Sequence, residues 1–164
     1  TGHQAVMKSY WVHVGGSIVI ASEKGMLDVV KGLVETHDVN ESGMTLKEYV
    51  NQVGKRSNGD ESTPLMVAAL REHFQIVKYL IEQCEADPNI ANMYGLNALH
   101  LAAYNNKKDT ELIDFLLTNM SLNSINKKNR NGDTPLDYAY KYNKSPIKQK
   151  IIDLIRSKGG KRGR

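Results

Sequence analysis

Apolar and polar positions along this chain fall into a pattern that repeats. The segment Thr63-Pro64-Leu65-Met66-Val67-Ala68-Ala69 returns as Asn97-Ala98-Leu99-His100-Leu101-Ala102-Ala103 and again as Thr134-Pro135-Leu136-Asp137-Tyr138-Ala139-Tyr140. A weaker first copy is Gly16-Ser17-Ile18-Val19-Ile20-Ala21-Ser22, and successive copies start 47, 34 and 37 residues apart. Each is followed by a second apolar segment, at 27–34, 74–81, 112–117 and 147–155. The first three units then run into loops closing on asparagine: Asp38-Val39-Asn40, Asp87-Pro88-Asn89 and Ser124-Ile125-Asn126. Self-similarity at this period signals units that cannot bury their apolar faces alone and stack to share one core.

Residue types within each copy predict a pair of helices. Thr63 and Thr134 can cap a helix through the side-chain oxygen, and Pro64 and Pro135 fall in the first turn, where no amide hydrogen is required. The small pairs Ala68-Ala69 and Ala102-Ala103 let neighbouring helices approach closely. In the second helix of repeat 2, Phe74, Val77, Leu80 and Ile81 share a face at helical spacing and predict a buried stripe. Ser145 before Pro146 predicts the start of the last helix. The expected fold class is an all-α repeat solenoid of stacked helix–turn–helix units.

These motifs resemble the ankyrin family, whose repeat of about 33 residues carries Thr-Pro-Leu-His-x-Ala. Asn97-Ala98-Leu99-His100-Leu101-Ala102 keeps most of that motif, and Thr63-Pro64-Leu65 and Thr134-Pro135-Leu136 keep its opening. Glu23-Lys24-Gly25-Met26-Leu27 looks like the family's turn into its second helix. The resemblance covers about Gly16 to Ser157 and implies an array with short β-hairpin-like loops. One ankyrin-repeat domain is expected over 1–157, with repeats near 11–40, 58–89, 92–126 and 129–157. The segment 158–164 is expected as a basic, disordered tail.

Departures from the family pattern mark particular places. Repeat 1 lacks Thr-Pro and reads as an irregular N-terminal cap. Repeat 3 carries about three extra residues around Asn105 to Asp109. Repeat 4 has Tyr140 where a small residue is usual and Asn143 in place of the turn glycine. The insertion at 41–57 is about 15 residues longer than an ordinary connection. Thr45-Leu46-Lys47-Glu48 within it reads as a capping box, and Leu46, Tyr49, Val50 and Val53 predict one face of a short helix packed on the array. That helix is either a private docking element or, as we favour, a cover for an exposed edge.

Charge adds one feature. The formal net charge is +4, and five positive residues from Arg156 onward (Arg156, Lys158, Lys161, Arg162 and Arg164) leave the remainder at −1. The tail could meet nucleic acid, an import receptor or an acidic surface, but it has no aromatic residue for base stacking, and a solvated end is favoured. The single cysteine, Cys84, precludes an intrachain disulfide and fits a reducing compartment, the cytoplasm or nucleus. No apolar run approaches the ~20 residues of a membrane span. A first residue other than Met suggests an excised or processed chain with flanking domains missing.

No catalytic or metal-binding constellation emerges. His3, His13, His37, His73 and His100 are scattered at spacings that match neither a metal site nor a triad. His100 occupies the family's structural histidine position and is expected to support hairpin hydrogen bonding. Cys84 has no basic neighbour in sequence and reads as an inert thiol. Gly15-Gly16 and Gly159-Gly160 lack the spacing and Lys of a phosphate loop. No cofactor and no small-molecule substrate are expected.

The resemblance implies binding of a protein or peptide through a concave surface made of hairpin tips and first helices. Carried onto this chain, it selects Met93, Tyr94 and Leu96 on the repeat 3 tip, and Arg130, Asn131 and Asp133 on the repeat 4 tip. On first helices it selects Glu23, Lys24, Leu70, Arg71, Tyr104, Asn105, Lys141 and Tyr142. Exposed aromatics and Arg are the usual anchors, although some of these tyrosines could pack between repeats instead. The expected function is a non-catalytic scaffold, adaptor or regulator acting as a monomer. The alternatives are a targeting domain cut from a larger enzyme, channel or acyltransferase, a plain spacer, and a contact made by the basic tail.

Overall fold

The computed structural model describes residues 17–164. The beginning of repeat 1 at 11–16, with His3, His13 and Gly15, lies outside the described residues. Repeat 1 contributes α1 (residues 17–23) and α2 (Leu27–Glu35). The insertion adds α3 (Val39–Ser42), α4 (Leu46–Asn51) and a two-stranded antiparallel hairpin, β1 (Gly54–Lys55) and β2 (Glu61–Ser62). Repeat 2 is α5 (Pro64–Leu70) and α6 (Phe74–Cys84). Repeat 3 is α7 (Ala98–Asn105), α8 (Glu111–Asn119) and the short α9 (Leu122–Ile125). Repeat 4 is α10 (Pro135–Tyr142) and α11 (Lys148–Ser157).

Two layers result. The first helices α5, α7 and α10 pack side by side, and the second helices α2, α6, α8 and α11 form the layer behind them. Ala68, Ala69, Ala102, Ala103 and Ala139 are wholly buried between first helices, where a larger side chain would force them apart. Behind them Ile76, Val77, Leu80, Ile113, Leu116, Ile151 and Ile155 fill one continuous core. Phe74 and Ile81 are only partly buried, and Phe74 meets Phe115 edge-on at 5.6 Å.

The expected caps form. Thr63 Oγ1 accepts from the Met66 amide at 3.2 Å, and Thr134 Oγ1 accepts from the Asp137 amide at 3.3 Å. Asn97 does the same for Leu99 and His100, each at 3.1 Å. Each such cap is worth about 1 kcal/mol.

Asparagines join one repeat to the next. Asn106 Nδ2 donates to the Ala69 carbonyl and Asn143 Nδ2 to the Ala103 carbonyl, both at 2.9 Å. Each satisfies a last-turn carbonyl of the preceding first helix that has no partner within its own helix. Asn143 sits at φ −74°, so the absent turn glycine costs nothing here. The extra residues of repeat 3 are tied down likewise, because Glu72 accepts from the Lys107 and Lys108 amides, both at 2.9 Å.

The insertion departs from expectation in two details. The capping box is present, with Glu48 N–H to Thr45 Oγ1 at 3.1 Å and Thr45 N–H to Glu48 Oε2 at 2.8 Å. Tyr49 and Val50 are buried against α5 and α6. Val53 is not on that face: the chain turns extended at Gln52 and leaves Val53 exposed. Residues 39–40, read as loop, begin α3 instead, because the Asp38 carboxylate accepts from the Asn40 amide at 2.8 Å and caps the turn.

The last helix begins at Lys148 rather than beside Ser145. The Ser145 hydroxyl donates to the Asn143 side chain at 2.6 Å and is not available as a cap. Residues 158–164, expected as a solvated end, lie against repeat 4. Lys161 N–H donates to Asn126 Oδ1 at 2.7 Å, Arg162 Nε to Asp137 Oδ1 at 2.8 Å and Gly163 N–H to Asp137 Oδ2 at 2.8 Å. The Arg162 guanidinium also lies 4.5 Å from the centre of the Tyr140 ring. A buried carboxylate on α10 supplies the reason for this docking, since an unpaired charge there would be costly.

Candidate functional site

Hairpin tips stand at the edge of the first-helix layer. Asn92 and Asn129 each close a tight turn, with Asn92 N–H to Leu96 O at 2.8 Å and Asn129 N–H to Asp133 O at 2.9 Å. Arg130 N–H donates to Tyr94 O at 3.1 Å, which holds the two tips together. Gly95 makes this approach possible: its φ is +78°, and a Cβ there would meet Asn129 Cα at 2.9 Å.

Between tips and helices runs an open cleft of about 460 Å³, bounded by Arg56, Arg71, Leu96 and Asn105, with Leu70, Leu101, Tyr104 and Tyr138 along it. Its floor is apolar, since Met66, Leu70 and Leu101 form a buried cluster with Ile90 and Leu96 packed on it. At the far end three tyrosines gather. Tyr138 and Tyr142 are one helical turn apart on α10, with ring centres 4.9 Å apart. Tyr104 of α7 reaches both, at 6.5 Å and 5.9 Å. Tyr104 and Tyr142 remain 46% and 42% exposed despite these contacts, so the cluster presents rings to solvent. Tyr138 is more enclosed and accepts from Asn129 Nδ2 at 3.0 Å.

The expected surface residues divide into two groups. Met93, Tyr94, Arg130, Asn131, Arg71, Tyr104, Lys141 and Tyr142 are exposed. Leu70 and Asp133 are buried, Leu70 as floor and Asp133 as the ion-pair partner of Lys141. Leu96 is half-buried on that floor, and Asn105 donates to the Leu70 carbonyl at 2.8 Å. Glu23 is buried too, accepting from Arg56 Nε at 3.0 Å and the Ser57 hydroxyl at 2.7 Å. Burial alone would raise its pKa, but the hydrogen bonds from Ser57 and Arg56 outweigh burial and lower it. Lys24 is exposed.

Tyr138 and Leu101 belong to this surface and were not anticipated, because both stand inside the repeated motif and read as core. The available signal was the replacement of an aliphatic residue, Val67 or Leu101, by an aromatic with a polar tip at the same motif position in repeat 4.

His100 lies beneath the tyrosines, wholly buried, with its ring edge-on to Tyr138 at 5.2 Å. Its Nδ1 accepts from the Asn97 amide at 3.2 Å, which leaves Nε2 as donor to the Asp133 carbonyl at 3.0 Å. Burial pushes its pKa down to about 4, so the ring is neutral and bridges α7 to the next hairpin. Cys84 is buried, and burial raises its thiol pKa, which disfavours the reactive thiolate. Among the described residues no group of three or more His, Cys, Asp or Glu side chains is placed to hold a metal ion. None of the described helices is long and apolar enough to cross a membrane.

A family model of ankyrin repeats in three copies matches residues 18–126 and again 65–160. The chain belongs to the ankyrin-repeat family. Ankyrin repeats are generally protein–protein interaction modules, and the family is generally non-catalytic. A putative ankyrin repeat protein of fowlpox virus, FPV031, is 29% identical over 157 residues, 95% of this chain and 39% of that protein. Zinc finger CCCH domain-containing protein 47 of Arabidopsis thaliana is 30% identical over 133 residues, 75% of this chain and 22% of that protein. Protein lin-12 of Caenorhabditis elegans is 40% identical over 78 residues, 47% of this chain and 5% of that protein. The ankyrin array described here thus spans well under half the length of each of these relatives.

Proposed function

We propose that this array is a non-catalytic binding module that holds a partner protein or peptide in the cleft along α5, α7 and α10. The observation that carries the reading is the Tyr104–Tyr138–Tyr142 cluster, which keeps aromatic rings exposed beside an apolar floor. Large amphipathic rings supply contact area with few rotors to immobilise, and a stacked scaffold is rigid before the partner arrives. Tips and first helices contribute Met93, Tyr94, Arg130 and Arg71 to the same face. A buried thiol of raised pKa suits a reducing compartment such as the cytoplasm or nucleus.

A second reading is that the array serves as the targeting segment of a longer protein. The relatives favour it, because each carries a matching stretch within a much longer chain. Both readings use the same surface. Capture from lysate by the wild type and by a Tyr104→Ala/Tyr142→Ala variant tests them together. Retention of a protein by the wild type, with loss of at least roughly tenfold in affinity for a variant of unchanged helical content, is the expected result. Equal capture by both would remove the cluster from the site.

A further inference from the structure

We infer that the occupant of the groove is an acidic stretch of a partner protein carrying an aromatic or large apolar side chain, seated over Tyr104 and Tyr142. This rests on the groove reading above and adds the partner's chemistry to it. A second concavity, of about 480 Å³, opens at the turn end of α7 and α10 and is lined by Tyr104, Tyr142, Lys107, Lys144, Ser145 and Pro146. The two rings form its apolar wall. Lys107 and Lys144 follow Asn106 and Asn143, the two asparagines that clasp the preceding repeat, so the same backbone geometry presents both ammonium groups.

Nearby acids are already engaged. Glu72 accepts from the Lys107 and Lys108 amides, Asp109 accepts from the Glu111 amide at 3.0 Å, Asp133 pairs with Lys141 and Glu23 with Arg56. Among the described residues no carboxylate lies within 4.0 Å of the Lys107, Lys144 or Arg130 side chains, and Arg71 reaches Glu23 only at 3.9 Å. The face therefore offers surplus positive charge on both sides of an aromatic platform, and complementary negative charge is what it selects.

Polar side chains that might read a ligand's hydrogen bonds are tied up internally. Asn143 Nδ2 serves the Ala103 and Asn106 carbonyls, and the Ser145 hydroxyl serves Asn143. Discrimination falls to charge and apolar packing. The tyrosine rings touch each other at a tilt of 54°, which leaves no gap between parallel faces for a nucleobase and favours a peptide side chain laid across them.

A random peptide library displayed on phage, panned on the wild type and depleted on the Tyr104→Ala/Tyr142→Ala variant, tests this. The expected survivors are net negative and contain an aromatic or large apolar residue. Synthetic copies should lose roughly tenfold in affinity to Lys107→Glu/Lys144→Glu and weaken as salt rises. Variant-sensitive peptides that are neutral or basic, or acidic ones indifferent to the lysine changes, would overturn the charge assignment while leaving the groove in place. The absence of any variant-sensitive peptide would overturn the groove reading itself. Tighter binding of a single-stranded oligothymidine, lost in the same two variants, would replace a protein partner with nucleic acid.

Discussion

Repeats 3 and 4 place different chemistry at one motif position. His100 and Asp137 each stand three residues after the cap of a first helix, and each is buried. His100 is held neutral by burial and reaches a neutral carbonyl in the next hairpin. Asp137 faces basic residues and amides. Burial would raise its carboxyl, but hydrogen bonds from the Thr134 amide, Arg162 and the Gly163 amide outweigh burial and hold it down at about 2. The scaffold thus needs a polar group at this position to bind whatever follows in the chain. It does not dictate whether that group carries charge.

Acid should separate the two positions. His100 has a folded pKa of about 4 against an ordinary 6.5, so protons favour the unfolded chain between those values. Its stabilisation is complete above pH 6.5 and is lost as pH falls through 4, a change of about 3 kcal/mol. Urea unfolding at pH 7 and at pH 4 should therefore show a steeper acid loss for wild type than for His100→Gln. Matching losses would break the contrast.

Asp137 contributes a smaller effect in a lower window. With a folded pKa of about 2 against 3.8, its stabilisation is present above pH 4 and lost as pH falls to 2. Asp137→Asn should cost about 1–2 kcal/mol at pH 7, and the gap from wild type should close below pH 4. Arg162→Ala should cost less, about 0.5 kcal/mol, because its side chain is 43% exposed and solvent screens the pair. Hydrogen exchange at the Gly163 amide would report release of the tail in either variant.

The same two repeats show what could be read from the chain before its structure. Caps at Thr63, Asn97 and Thr134 were legible because capping is a local matter of one side chain and one turn. The α4 capping box was legible for the same reason. The docked tail was not, since its partner Asp137 lies more than 20 residues back and nothing local to Lys158–Arg164 records it. Val53 failed because helical periodicity was continued past the point where the backbone turns extended. The surface was half legible: Tyr104 and Tyr142 stood out as aromatics at first-helix ends. Tyr138 sat inside a motif that reads as core, and the burial of Asp133 follows from a hairpin turn that the sequence does not display.

The most direct test of the binding surface is hydrogen–deuterium exchange of the array with and without a captured or selected ligand. The account predicts new protection confined to the hairpin tip around Met93 and Tyr94, the end of α7 and the stretch from Tyr138 to Pro146. Protection confined instead to α6, α8 and α11, with the tyrosine cluster unchanged, would contradict it.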